Sequence, residues 1–284
     1  MSARDPVSDV RPSPLAGKWY PGSPERLAQS IDAYLDQAEV APVEGRIVGV
    51  LAPHAGHRYS GAVAGHAFKR LRGEAMEVVA VVGPSHYPYR GPILTTGHNA
   101  YSTPLGEVPV ARDLLDTLRT EIALETVRDD QEHSLEIELP FLQRALGAFR
   151  LVPLALVSQS LATAQALGAA LARMLDGRRA LLVASSDLSH FYPQGIATQL
   201  DAAVLSAVEG FDPAAVIRAE DEGRGFACGR GAIAVVMIAA RALGADTARV
   251  VGYATSGDAT GDYSQVVGYG AALFIASRQA SEDA

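Results

Sequence analysis

The chain has 284 residues, of which 48% are hydrophobic and 20% are charged, enough apolar material for one large domain or two small ones. Its 24 basic and 32 acidic side chains give a formal charge of −8, and no run of Lys or Arg offers a stripe for phosphates. This composition excludes a disordered chain and argues against a nucleic-acid partner, while a small neutral or cationic ligand stays open.

Cys228 is the only cysteine, so no disulfide can form within the chain, and the first residues contain no apolar signal segment. The longest nearly apolar run, residues 231–240, ends at Arg241, whereas a membrane-spanning helix needs roughly 18 apolar residues. We therefore expect a cytoplasmic protein without a membrane span.

The first half of the chain begins with residues 1–14, which mix Ser, Pro and Asp without periodicity and predict an N-terminal arm. Ser23 then precedes a helical pattern, and an apolar run over residues 47–52 predicts a buried strand. Ser60 is the predicted cap of a second helix, and residues 78–82 predict the next strand.

The second half continues this alternation of strands and helices. Strands are predicted over residues 151–156, 180–184, 250–253 and 266–275, with helical patterns over 135–146, 167–175, 200–208, from Asp212, and over 233–243. Residues 256–262 have turn composition and are interpreted as a loop. Since no linker divides the chain, residues 15–284 are predicted to form a single α/β domain with a mainly parallel central sheet flanked by helices.

Histidines follow three of the predicted strands, in the loops directly after them. His54 follows the first strand, His86 the second, and Asp187 with His190 follows the strand at 180–184. The carboxyl ends of parallel strands lie along one edge of a sheet, where ligands bind in open α/β folds. One such histidine is most often a hydrogen-bonded loop residue, but three loops together favour a shared metal or acid–base site.

Cys228 stands directly before the apolar helical segment, and a helix N-terminus favours a thiolate. The alternative interpretation is a small buried hydrophobic residue. With two neutral imidazoles, a thiolate would complete the charge pattern of a non-haem Fe(II) site, where the anion is usually a carboxylate. Sulfur makes zinc and copper competing metals.

The acidic segment at residues 129–136 contains His133, and we expect most of its carboxylates to lie in the first turn of the following helix. His133 and His57 are the candidates for substrate contact, with His57 also a candidate donor behind the site. Glu136 is a candidate support for that site, whereas His66 and His98 are interpreted as ordinary structural residues.

Ordered segments along nearly the whole chain resemble one known family. They are Ala16-Gly17-Lys18-Trp19-Tyr20, Pro53-His54-Ala55-Gly56, Tyr59-Ser60-Gly61, Gly83-Pro84-Ser85-His86, Thr103-Pro104-Leu105-Gly106, Glu132-His133-Ser134-Leu135-Glu136, Ser185-Ser186-Asp187 with His190, and Cys228-Gly229-Arg230. On these segments the chain is identified as a member of the Memo family, whose bacterial and archaeal members are the system protein B of a three-gene set. It departs from the family pattern at His57, where other members carry Tyr.

The Memo family is similar in fold to the class III extradiol dioxygenases, ring-cleaving enzymes that use non-haem iron. The resemblance implies that His54, His86 and Cys228 are the metal ligands, with Fe(II) as the metal and copper or zinc as alternatives. It also implies that Asp187 and His190 lie beside the metal and that His133 lines the pocket.

Three functional hypotheses follow. The first is a metal-dependent oxidoreductase resembling the dioxygenases, in which His190, oriented by Asp187, is the general base or acid for a small-molecule substrate. The second is a copper- or iron-binding scaffold without catalysis, and the third is a zinc-dependent hydrolase. The sequence identifies neither the substrate nor a protein partner.

Overall fold

The structure is a computed structural model and describes residues 9–277. The strands in that range are β1 (Val10–Arg11), β2 (Arg46–Ala52), β3 (Val78–Pro84), β4 (Ile93–Thr96), β5 (Ala100–Thr103), β6 (Gly106–Pro109), β7 (Glu125–Val127), β8 (Arg150–Leu156), β9 (Ala180–Ser185), β10 (His190–Tyr192), β11 (Thr247–Thr255) and β12 (Val266–Ala276). The α-helices are α1 (Pro24–Gln37), α2 (His57–Phe68), α3 (Arg112–Arg119), α4 (Leu139–Leu146), α5 (Leu161–Leu175), α6 (Gln194–Glu209), α7 (Pro213–Asp221), α8 (Arg230–Ala242) and α9 (Ser256–Thr260).

The main sheet has a parallel centre and antiparallel flanks. Its strand order is β10-β12-β2-β9-β3-β8-β4-β7, with β11 paired to β12. Strands β2, β9, β3 and β8 run parallel, whereas β12 and β4 join this centre in antiparallel orientation. The predicted α/β fold is thus confirmed, with a mixed sheet around a parallel core, and β1, β5 and β6 form a small second sheet.

The register of the central strands brings three loops to one level. Ala52 at the end of β2 lies beside Ser185 of β9, and Val82 of β3 lies beside Ala184. Strands β3 and β9 are buried along their whole length, as expected where helices cover a parallel sheet. Helix α8 packs on β2, β3 and β9, and α2 packs on β2, β11 and β12.

Local capping explains where several helices begin. Ser23 caps α1 by accepting from the Arg26 amide, as predicted, and Asp212 caps α7. The prediction for α2 was wrong, because the helix begins at His57 after Gly56, three residues before Ser60. The Ser60 hydroxyl instead donates to a backbone carbonyl.

Two further segments differ from the sequence interpretation. The residues interpreted as a loop after β11 contain the short helix α9. Thr255 and Asp258 form a capping box at the N-terminus of this helix. Of the predicted N-terminal arm, residues 1–8 lie outside the described range, and β1 pairs in parallel with β5. No helix between residues 9 and 277 combines the length and the apolar character needed to cross a bilayer.

Candidate metal centre and its cavity

His54, His86 and Cys228 come together at the carboxyl edge of the parallel core. His54 follows β2, His86 follows β3, and Cys228 precedes α8. One ligand atom from each residue lies within 4.8 Å of the other two, and the Cys228 Sγ is 3.1 Å from the His54 Nε2. Two imidazoles and one thiol at these distances match the donor set of a transition-metal site.

A buried hydrogen-bond chain orients His54, which is 1% exposed. Its Nδ1 lies 3.0 Å from the Ser185 hydroxyl, which in turn donates to the Ser134 carbonyl and contacts Glu138 at 2.8 Å. The Ser185 oxygen therefore accepts from Nδ1, and the Nε2 lone pair is left facing Cys228. Complete burial raises the pKa of Glu138 well above its usual value and favours its protonated form. Sequence reasoning did not find Glu138.

Glu132 orients His86. Its carboxylate accepts the His86 amide at 2.6 Å and the His86 Nδ1 at 2.9 Å, together with the amides of His133 and Ser134. Burial alone would raise the pKa of Glu132, but the hydrogen bonds from His86 and Ser134 hold it at about 2. This carboxylate fixes the proton on Nδ1 and leaves the His86 Nε2 free for a metal.

The expectation for the acidic segment was wrong, because Glu132 lies in the loop before α4 and not in the first turn of that helix.

A second group that could hold a metal, His86 with Glu132 and His133, shares one residue with the first. Four N–H groups already occupy the oxygens of Glu132, so we favour the group with Cys228.

Cys228 is not made acidic by the helix after it. Burial and the neighbouring Asp187 raise the pKa of the thiol well above its usual value. Helix α8 begins two residues later, at Arg230, with Gly229 as its cap. The helix N-terminus alone therefore does not produce the predicted thiolate, and a metal cation would supply the positive charge that deprotonation requires.

A cavity of about 600 Å³ opens beside these ligands. His54, His86, His133 and His190 line it. The His133 ring stacks on His86 with ring centres 4.3 Å apart, and the tilted Trp19 ring is 4.5 Å away. Burial lowers the pKa of His133 to about 4 and also lowers the pKa of His190. These rings are therefore neutral near pH 7, and the cavity presents imidazole lone pairs.

His190 and Asp187 both line the cavity but do not act on each other as expected. The Asp187 carboxylate accepts the amides of His54 at 2.7 Å and Ala55 at 3.2 Å, and no hydrogen bond between residues 9 and 277 joins it to His190. Burial raises the pKa of Asp187 to about 7. The buried His190 Nδ1 has no hydrogen-bond partner within that same range.

The structure places His57 and Glu136 away from the cavity. His57 is 3% exposed, its Nε2 donates to the Ile137 carbonyl, and its ring packs against Phe141. The core covers the His57 ring, which does not line the cavity, and the predicted substrate contact stays a prediction. Glu136 binds the guanidinium of Arg11, a buried residue that sequence reasoning missed because its partners lie more than 100 positions away.

Comparison with known proteins decides the family. The profile described as "Memo-like protein" matches residues 11–273. This chain belongs to the Memo family. A MEMO1 family protein of Methanopyrus kandleri is 36% identical over 92% of this chain and 97% of its own length. A MEMO1 family protein of Pyrobaculum aerophilum is 35% identical over 93% of this chain and 99% of its own length.

A solved structure also resembles this Memo family chain. The crystal structure of an uncharacterized protein from Escherichia coli K12 superposes with a TM-score of 0.49 at 16% sequence identity. The match covers 79% of this chain and 99% of the other.

Proposed function

We propose that this Memo family protein is a metal-dependent oxidoreductase that holds Fe(II) at His54, His86 and Cys228. The supporting observation is the position of these three donors beside a large cavity. Structural metal sites are usually closed by four protein ligands, whereas catalytic sites keep positions open to exogenous molecules. Three donors next to a cavity correspond to the catalytic arrangement.

The residues around the ligands provide the rest of the machinery. Bound iron would supply redox chemistry with dioxygen. His190 lines the cavity and is neutral near pH 7, because burial lowers its pKa. It can therefore accept a proton from a substrate hydroxyl placed in the cavity. Trp19 and Tyr269 line the same cavity and add aromatic surface to its wall.

Metal content tests the ligand assignment. The unmodified protein, Cys228→Ser and His86→Ala are purified without oxygen and compared by elemental analysis. We expect near-stoichiometric iron in the first and loss of iron in both variants. His66→Ala is the control, since the His66 ring bonds to a carbonyl of its own helix. A native protein that binds no metal after anaerobic reconstitution would contradict the assignment.

A second candidate is a metal-binding scaffold without catalysis, which the thiol donor favours because soft sulfur ligands suit copper(I) and zinc. Dioxygen uptake by the iron-loaded protein with a panel of catechols separates the two. The oxidoreductase predicts uptake that falls by about 100-fold or more in His190→Ala at unchanged metal content. The scaffold predicts only background oxidation in both proteins, and a zinc hydrolase predicts activity that persists without oxygen.

A further inference from the structure

Two cationic side chains line the cavity, and neither is paired with a carboxylate of residues 9–277. Lys18 lies in the turn after Leu15, and Arg58 is the second residue of α2. Both are exposed, and within residues 9–277 neither forms an ion pair or a side-chain hydrogen bond; the Arg58 guanidinium lies 4.6 Å from the Tyr59 ring. Most arginines in that range are paired with carboxylates.

The acidic groups of the cavity are engaged elsewhere. Asp262 lines the cavity, but its Oδ1 accepts both the amide and the hydroxyl of Ser264. Asp187 accepts the two amides beside His54. Lys18 and Arg58 are therefore the charged side chains of the lining that stay available to a ligand, although the chain as a whole has a net charge of −8.

We propose that Lys18 and Arg58 form an anion subsite, and that the ligand of this cavity is a small molecule with an apolar ring and one carboxylate or phosphate group. The inference rests on the proposed function for the role of that ligand as substrate. It replaces the expectation of a neutral or cationic ligand, because net charge describes the whole surface and not the cavity.

The walls match the apolar part of such a ligand. Trp19, Tyr59, Phe191 and Tyr269 line the cavity, and its size suits a small organic molecule rather than a folded partner. Phe191 is 67% exposed and has a φ of 63°, a left-handed conformation that costs energy for a bulky residue. An aromatic ring held at this position in water gains contacts when a ligand ring covers it.

Trp19 makes the proposal testable without activity. It is the only tryptophan of the chain and it lines the cavity, so its fluorescence, excited at a wavelength that the probes do not absorb, reports binding to metal-free protein. The probes are benzoate, phenyl phosphate and the neutral benzamide, titrated at low salt. We expect benzoate, phenyl phosphate or both to bind about tenfold more tightly than benzamide.

Charge variants test the two residues. The double variant Lys18→Ala/Arg58→Ala should weaken anion binding by about fivefold or more, and Lys18→Arg/Arg58→Lys should restore most of it. Arg26→Ala removes one charge from an exposed position of α1 outside the cavity lining and should leave binding unchanged. Benzamide binding should be the same in all variants.

The outcomes separate the ligand classes and the two proposals. Preference for benzoate identifies a carboxylate subsite, and preference for phenyl phosphate identifies a phosphate subsite. Equal binding of benzamide, no binding of any probe, or equal losses in Arg26→Ala and the double variant would overturn the anion subsite. Metal analysis of the same preparations is independent: normal iron with failed anion binding leaves the proposed function intact, and the reverse result removes only that function.

Discussion

Two polar clusters lie next to each other, and they differ in burial and in what their side chains meet. The Arg11 cluster consists of Arg11, Asp130, Glu136 and Tyr20, and each guanidinium nitrogen has an acceptor: Nε meets Asp130 at 2.8 Å, and Nη1 meets Glu136 at 2.5 Å. The donor cluster of His54, His86 and Cys228 has its nitrogen and sulfur atoms within 4.8 Å of one another, and His54 and His86 line the cavity. Complete pairing of opposite charges is typical of a structural role, whereas nitrogen and sulfur donors that converge beside a cavity indicate a binding site.

Glu132 connects these clusters. Its backbone carbonyl accepts the Arg11 Nη2 at 2.8 Å, and its carboxylate holds His86. The short strand β1 is therefore tied to the loop that orients His86. Removing a member of the Arg11 cluster should mainly lower the stability of the fold, whereas removing Glu132 should mainly lower metal affinity.

The largest effect is expected from Arg11→Met. Arg11 is 1% exposed, and its loss leaves the carboxylates of Asp130 and Glu136 without their cation, which should cost about 3–5 kcal/mol of unfolding free energy. Urea unfolding measures this loss. Adding Glu136→Gln should recover part of it, because one unpaired charge is removed.

The control is Arg144→Met, which breaks an exposed ion pair with Asp32 and should cost only a small fraction of the Arg11 effect. Similar losses for the two variants would mean that burial and pairing do not distinguish Arg11 from a surface arginine.

The sequence predicted the elements that depend on neighbours along the chain. Strands β2, β3 and β9 are apolar runs because helices cover them, and their parallel register then brings His54, His86 and Asp187 to one edge. To predict that these three loops meet, only the order of strands and helices along the chain was needed.

What the sequence could not predict depends on distant partners. Arg11 meets acids 119 and 125 positions away, and an isolated arginine in a Ser- and Pro-containing segment carries no local signal for that pairing. Asp187 lies three positions before His190, which suggested a pair, but the amide of His54 takes its carboxylate. The free amides of the loop after β2 compete successfully for the buried carboxylate.

Glu132→Gln tests the cluster of His54, His86 and Cys228, because Glu132 holds the His86 ring. The amide of glutamine cannot accept from both N–H groups of His86, so the ring loses the contact that orients it. We expect metal affinity to fall by about 10- to 100-fold, measured by competition with a chelator, while the protein remains folded.

Asp262→Asn is the matched control for this change. It alters a carboxyl in the wall of the same cavity that contacts Ser264 rather than a ligand. Metal affinity should be unchanged there. An equal loss in both variants would assign the effect to cavity charge and not to the orientation of His86.

The smallest effect is expected for Asp201 in α6, whose buried carboxyl accepts hydrogen bonds from neutral donors. Its oxygens accept the Ser189 amide and the Tyr253 hydroxyl, each at 2.8 Å, and burial raises its pKa. The folded protein therefore keeps this proton to a higher pH than the unfolded chain. The resulting stability is fully present below the unfolded pKa and is lost as the pH rises through the folded pKa.

Asp201→Asn cannot ionise and should keep that stability, so its advantage in melting temperature over the unmodified protein should grow from pH 4 to pH 8. Asp246→Asn is the control: Ser277 hydrogen bonds lower the pKa of Asp246, so the stability that they add is already present above the usual pKa of aspartate, and the offset of this variant should stay nearly constant from pH 4 to pH 8. A constant offset for Asp201→Asn across this range would show that neutral donors compensate the buried charge as fully as Arg11 does for Glu136.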